Sequence, residues 1–197
     1  MSRRSDDRRI ITSWTNGRKA TVHLVRNSCG EQLVLKIYRP GFWVSMLREY
    51  LTTSYVARRL SVGPKVLSFR LCRKEILLSY VSGERVLEWV LQRFGDDEVV
   101  LSDFQSFHGL DTNAQVSRAF ERFRQSPAEE AHRLKLAIRE SYSSLHRIKI
   151  LHGGADPRNI IYDGNRAFII DFDHARPSLS PAHTEYRTLT HWYGILP

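Results

Sequence analysis

The stretch from Leu151 to Asp173 constrains this chain more than any other. It reads Leu151-His152-Gly-Gly-Ala-Asp156-Pro-Arg-Asn159, then Ile160-Ile-Tyr162, a polar Asp163-Gly164-Asn165 connection, and Phe168-Ile-Ile-Asp171-Phe-Asp173. Two short apolar runs joined by Asp-Gly-Asn predict a β-hairpin. An amide, Asn159, stands where the hairpin begins, and a carboxylate, Asp171, follows twelve residues later where it ends. A hairpin brings such ends together, and one amide plus one carboxylate suit Mg²⁺ held jointly with phosphates. Each residue alone also has a plainer explanation: Asn159 capping its own turn and Asp171 closing a strand. His152, ahead of two glycines, reads as a structural support of the loop.

The first third of the chain predicts a sheet. Ile10–Trp14, Thr21–Val25 and Gln32–Tyr38 are strand-like runs separated by Asn16-Gly17 and Asn27-Ser-Cys-Gly30. Pro40-Gly41 ends the series. From Phe42 to Leu60, apolar residues at Val44, Leu47, Leu51 and Tyr55 recur at helical spacing, and Gly63-Pro64 stops the helix. Lys65–Leu71 and Glu75–Val81 complete an expected five-stranded unit over residues 10–81, preceded by a loose polar arm at 1–9.

Ser82-Gly83 reads as a hinge into a second unit, residues 82–197. Leu87–Phe94 has helical character, whereas Gly95–Asn113 is polar, acidic and irregular and carries no functional assignment. Ser126-Pro127-Ala128-Glu129 has the form of a capping box with proline at the first helical position. The helix it opens presents Leu134, Ile138, Ser141, Leu145 and Ile148 on one face. The tail from Glu185 to Tyr193 is expected to form a final helix.

Composition bounds the partners. A net charge of +9 over 197 residues favours anionic ligands such as nucleotides, nucleic acid or acidic lipid, although no block of basic residues concentrates it. The start lacks the apolar segment of a signal peptide, and no run approaches a membrane span. Cys29 and Cys72 have no metal-ligand spacing and fit a reducing compartment. Cytoplasmic or nuclear residence is the expectation.

Lys36 interrupts an apolar strand, Leu33-Val-Leu-Lys36-Ile-Tyr38. A charge there is costly unless it enters a cleft or meets a partner, and Glu49, in the following helix, is suited to that role. A lysine held by a helix glutamate and aimed at phosphates is a known device of phosphoryl transfer. The plainer alternative is a lysine on the solvent face of a half-exposed sheet.

Taken together, these residues resemble the protein-kinase-like superfamily over about residues 10–175. The similarity is closest to its small atypical branches, the RIO-like, KEOPS-associated and lipopolysaccharide kinases. Val34-Leu-Lys36-Ile is similar to the third-strand lysine motif and Glu49 to its helix partner. Leu78-Ser-Tyr80-Val81-Ser-Gly83 resembles the segment between lobes, with Tyr80 and Val81 placed to hold adenine. His152 to Asn159 resembles the catalytic loop, and Asp171-Phe172-Asp173 the metal-binding triplet, with Asp173 in place of its glycine. The resemblance implies an α+β, two-lobed kinase-like fold: a five-stranded antiparallel N-lobe with one helix, and a reduced, mainly helical C-lobe. It further implies ATP and Mg²⁺ as cofactors, with Lys36, Glu49, Gly17, Tyr80 and Val81 on the nucleotide and Asn159 and Asp171 on the metal.

Three departures accompany it. Gly154 stands where the family has its catalytic Asp, leaving Asp156 as a candidate substitute base, an extra metal ligand or simply the turn residue before Pro157. The first turn, Thr15-Asn-Gly17-Arg-Lys19-Ala, has one glycine where a phosphate-covering loop has two or three. Its Arg18 and Lys19 are either phosphate contacts or a solvated hairpin tip. Only 24 residues follow Asp173, too few for an ordinary peptide-binding segment. The expected function is ATP-dependent phosphotransfer to an unidentified acceptor, a protein serine or threonine or a small molecule. The alternatives are a pseudokinase acting through a protein partner and, more remotely, RNA binding by the basic surface.

Overall fold

The computed structural model describes residues 8–15, 17–96, 113–178 and 183–195. The fold is α+β, with five α-helices and a five-stranded antiparallel sheet among the described residues. Its strands are β1 (Arg9–Trp14), β2 (Ala20–Arg26), β3 (Gln32–Tyr38), β4 (Val66–Arg70) and β5 (Glu75–Ser79), in the order β1-β2-β3-β5-β4. Strand β3 is central, so Lys36 is flanked by Val22 on β2 and Ile76 on β5. The helix after β3, α1 (Trp43–Arg59), turns Met46, Glu49, Thr53 and Val56 inward at three- and four-residue steps. Met46 joins Ala20, Tyr38, Ile76 and Leu78 in a small core between sheet and helix.

A second, larger core forms around the remaining helices and takes in Val56 of α1, with Leu60 and Val62 packed against it. The segment expected to be a hinge is short and tightly held. Gly83 has φ +139°, and a Cβ there would lie 2.5 Å from the Tyr162 carbonyl oxygen, so only glycine fits. The chain then pairs immediately as β6 (Glu84–Arg85) with the later hairpin and enters α2 (Val86–Phe94).

A helix absent from the sequence reading follows: α3 (Ala114–Gln125), capped by the Asn113 side chain and burying Val116, Ala119, Phe120 and Phe123. Most of the irregular segment, residues 97–112, lies outside the described residues. Helix α4 (Glu129–Arg147) begins two residues later than expected, and the capping box does not form. Ser126 is instead the C-cap of α3, and its hydroxyl accepts from the Ala128 amide to turn the chain between the two helices. The anticipated α4 face is buried at Leu134, Ile138, Ser141 and Leu145, while Ile148 caps the end.

Strand β7 (Ile150–Leu151) leads into the loop and pairs with β10 (Arg176–Pro177). Between them lies the expected hairpin, β8 (Ile160–Tyr162) and β9 (Ala167–Ile169), antiparallel with Ile160 opposite Ile169. Its turn is built by Asp163, whose carboxylate accepts from the Asn165 and Arg166 amides. Helix α5 (His183–Tyr193) closes the chain, burying Leu189, Trp192 and Tyr193. No helix among the described residues is long and apolar enough to cross a membrane, and both cysteines are free and exposed.

Candidate functional site

Strand β3, helix α1 and the segment after β9 place three ionisable side chains together. Lys36 Nζ lies 2.6 Å from Glu49 Oε1 and 2.7 Å from Asp171 Oδ1. The Glu49 carboxylate is 1% exposed and also accepts from the Tyr38 hydroxyl, two residues along β3 on the same face as Lys36. Burial works to lower the Lys36 pKa, but the Asp171 and Glu49 carboxylates outweigh it and raise it above the ordinary lysine value. Asp171 behaves oppositely: burial pushes its pKa up, yet the Lys36 ammonium holds it below the ordinary aspartate value. In Glu49 burial dominates over the Lys36 charge, so its pKa is raised.

Asp171 occupies a left-handed backbone conformation, φ 64° and ψ 64°, which aspartate tolerates better than bulkier residues. The kink turns the chain into a single 3₁₀ turn, Phe172–His174, and sends Phe172 into the larger core. The Phe172 ring meets His152 edge-on at 5.0 Å. His152 is buried, with Nδ1 2.7 Å from the Gly154 carbonyl oxygen and Nε2 2.8 Å from that of Ile170. It therefore ties the loop to the residue preceding Asp171.

Asn159 ends a 3₁₀ turn that starts at Pro157. Its own carbonyl accepts from the Ile170 amide at 2.9 Å, fixing the loop beside the Asp171 segment. The Asn159 backbone N–H donates to the Asp156 carbonyl at 2.9 Å, and Asp171 meets Lys36 through Oδ1, so the oxygens suited to ligate a metal are Asn159 Oδ1 and Asp171 Oδ2. A Cβ at Gly154 would make only ordinary contact, 3.9 Å, with Asn159 Nδ2. No group of three or more His, Cys, Asp or Glu side chains able to hold a metal occurs among the described residues. One amide and one carboxylate instead suit an ion that keeps much of its shell for waters and phosphate oxygens, as Mg²⁺ does.

Asp156 is occupied otherwise. Its Oδ1 accepts from the Arg158 amide at 2.8 Å and from Nε at 2.9 Å, and its Oδ2 lies 2.5 Å from Nη2. The carboxylate caps the turn and grips the guanidinium of Arg158. Tyr80 is partly exposed after β5, beside half-buried Val81. Gly17 sits in the β1–β2 turn, where a Cβ would lie 2.4 Å from the Ala20 carbonyl oxygen; its neighbour Asn16 is outside the described residues.

Two further residues join the site: Glu185, which the sequence did not single out, and Lys19, which it left between a phosphate contact and a solvated hairpin tip. Glu185 of α5 is buried, accepts from the Gly153 amide at 2.8 Å and pairs with His146 Nε2 at 2.6 Å, so the tail helix holds the loop in place. Lys19 of the β1–β2 turn reaches Asp173 Oδ2 at 2.5 Å and His174 Nε2 at 2.8 Å. Beside the loop opens a groove of about 880 Å³, lined by Val44, Leu47 and Leu51 of α1, by Gly153–Ala155 and by His174–Pro177. It reaches Gly154 but not Lys36. No protein-family model and no curated protein matches this chain.

Proposed function

We propose that the chain is an atypical kinase-like protein of two lobes, residues 10–81 and 82–197, that binds ATP with Mg²⁺ between them and transfers the γ-phosphate. The observation that carries this is the Lys36 ammonium bridging Glu49 and Asp171. A strand lysine, a helix glutamate and a metal-binding aspartate, brought together from three separate elements, form the arrangement that phosphoryl transfer requires for charge neutralisation and positioning. In this reading Lys36 orients phosphates, Asn159 and Asp171 hold the metal, and the backbone at Tyr80 and Val81 receives adenine. When bound, the metal would neutralise charge on the phosphate oxygens. His152 holds the loop, and the groove beside Gly154 admits the acceptor.

One observation favours a second reading, a nucleotide-binding module without turnover. Gly154 supplies no base, and the Asp156 carboxylate is committed to Arg158. Loss of general-base help costs typically 10²–10⁴-fold in rate while leaving binding intact. The test is γ-phosphate transfer and ATP hydrolysis by the wild type and by Asp171→Asn. Turnover above the Asp171→Asn rate supports the transferase; equal background rates with retained ATP binding support the module. The RNA-binding alternative predicts a steep salt dependence.

A further inference from the structure

We propose that Lys19 is a second phosphate-contacting cation of this site, beside Lys36, and that Asp173 is the residue that positions it. The pair replaces the glycine-rich cover that the chain lacks. This rests on the nucleotide-binding reading above and goes beyond it, because it explains two sequence departures by one contact.

The first departure is the β1–β2 turn. A phosphate cover made of backbone needs several residues without side chains, so that amides can close on the anion. Here the single glycine is used up by the turn itself, since a Cβ at Gly17 would collide with the Ala20 carbonyl at 2.4 Å. Any cation aimed at phosphates must then come from a side chain. The root of Lys19 is fixed, because its carbonyl accepts from the Arg39 amide at 2.8 Å, just beyond β3.

The second departure is the acidic residue at 173. Asp173 is buried at 7% exposure, and its Oδ2 meets Lys19 Nζ at 2.5 Å across 154 residues of sequence. Its Oδ1 lies 3.6 Å from His174 Nε2, and that same nitrogen lies 2.8 Å from Lys19 Nζ. A buried carboxylate is costly without a cation, and Lys19 provides it. The contact holds the ammonium close enough to Asp171 for its charge to help keep that carboxylate ionised. Lysine has three N–H donors. Two have partners among the described residues, and the third is left for an anion. The Lys19 side chain keeps 22% of its surface exposed, so an anion can reach it.

The test measures dissociation constants for ATP with Mg²⁺ and for adenosine in the wild type, Lys19→Ala, Lys19→Arg, Asp173→Asn and the Lys19→Ala/Asp173→Asn double variant. Lys19→Ala is expected to weaken ATP binding about 10- to 100-fold, the range of one charge-assisted hydrogen bond, with adenosine unchanged. Lys19→Arg retains most of the affinity. Asp173→Asn weakens ATP by a smaller factor, and in the Lys19→Ala background it adds nothing, as coupling through one contact requires. Equal ATP affinity in wild type and Lys19→Ala overturns the proposal, as does tighter binding by Lys19→Ala, which would make the contact a closed latch. An equal loss for adenosine overturns it too, since that reports a folding defect. If the wild type binds no ATP, the nucleotide reading itself fails and this inference with it.

Discussion

The Lys36 ammonium and the Asp171 carboxylate, 135 residues apart in sequence, lie 2.7 Å apart in the fold. The contact joins the central strand of the large sheet to the segment after the short hairpin, and Glu49 shares the same ammonium at 2.6 Å. Removing the lysine leaves Glu49 charged and buried. Lys36→Met is therefore expected to cost about 3–5 kcal/mol, the range for breaking a buried ion pair from one side. Urea unfolding measures it. Restoring stability by adding Glu49→Gln would identify the unpaired carboxylate as the cause.

Acid titration should separate the two carboxylates. Burial raises Glu49, so it takes its proton above its ordinary 4.5, while the Lys36 charge keeps Asp171 ionised below its ordinary 3.8. A raised acid pKa in the folded state means that Glu49's contribution to stability grows as pH falls through that pKa towards 4.5. The depressed Asp171 acts oppositely: its contribution is present above 3.8 and lost as pH falls below it. Carboxyl-carbon NMR of both residues measures the order directly, and Asp171 protonating first would contradict it.

His152 is expected to stabilise the loop. His152→Ala removes the ring that lies against the Gly154 and Ile170 carbonyl oxygens and leaves a void against Phe172. One unsatisfied buried acceptor costs about 1–3 kcal/mol. Thermal unfolding should show a loss of that size or more, and hydrogen exchange at Asn159 and Ile170 should quicken.

Gly154→Asp is the variant most informative about turnover. Gly154 is not among the glycines with positive φ, and its Cβ direction meets nothing closer than 3.9 Å. The substitution should fold with stability within about 1 kcal/mol of wild type, since glycine replacement at an ordinary backbone conformation is tolerated. If base assistance is what the loop lacks, γ-phosphate transfer should rise about 10²–10⁴-fold. An unchanged rate in a folded, ATP-binding variant would assign the deficit elsewhere.

Much of this fold follows local rules that operate within a few residues. The strand runs around Lys36 and the Asp163-Gly164 turn were legible because period and turn chemistry agreed. The α1 spacing gave the helix but not its buried face: Val44, Leu51 and Tyr55 are exposed, and Met46, Glu49, Thr53 and Val56 turn inward instead. Lys36 stood out as a charge in an apolar strand, and its partner Glu49 was found because it lies only thirteen residues on, in the very next element. Helix α3 escaped because it is polar on most of its surface and follows an irregular segment. Its signals, the Asn113 cap and the spacing of Val116, Ala119, Phe120 and Phe123, were present. The capping box at Ser126 misled because the same residues also serve a helix-to-helix turn. Lys19–Asp173 and Gly153–Glu185 depend on tertiary approach, and no local pattern announces them.

Titration of the wild-type protein with ATP in an isothermal calorimeter, with Mg²⁺ and without it, tests the central claim most directly. Saturable binding strengthened by Mg²⁺, with that strengthening abolished by Asp171→Asn in a folded variant, is the predicted result. The absence of binding heat at every Mg²⁺ concentration, matched by no change in unfolding temperature with ATP, would contradict it.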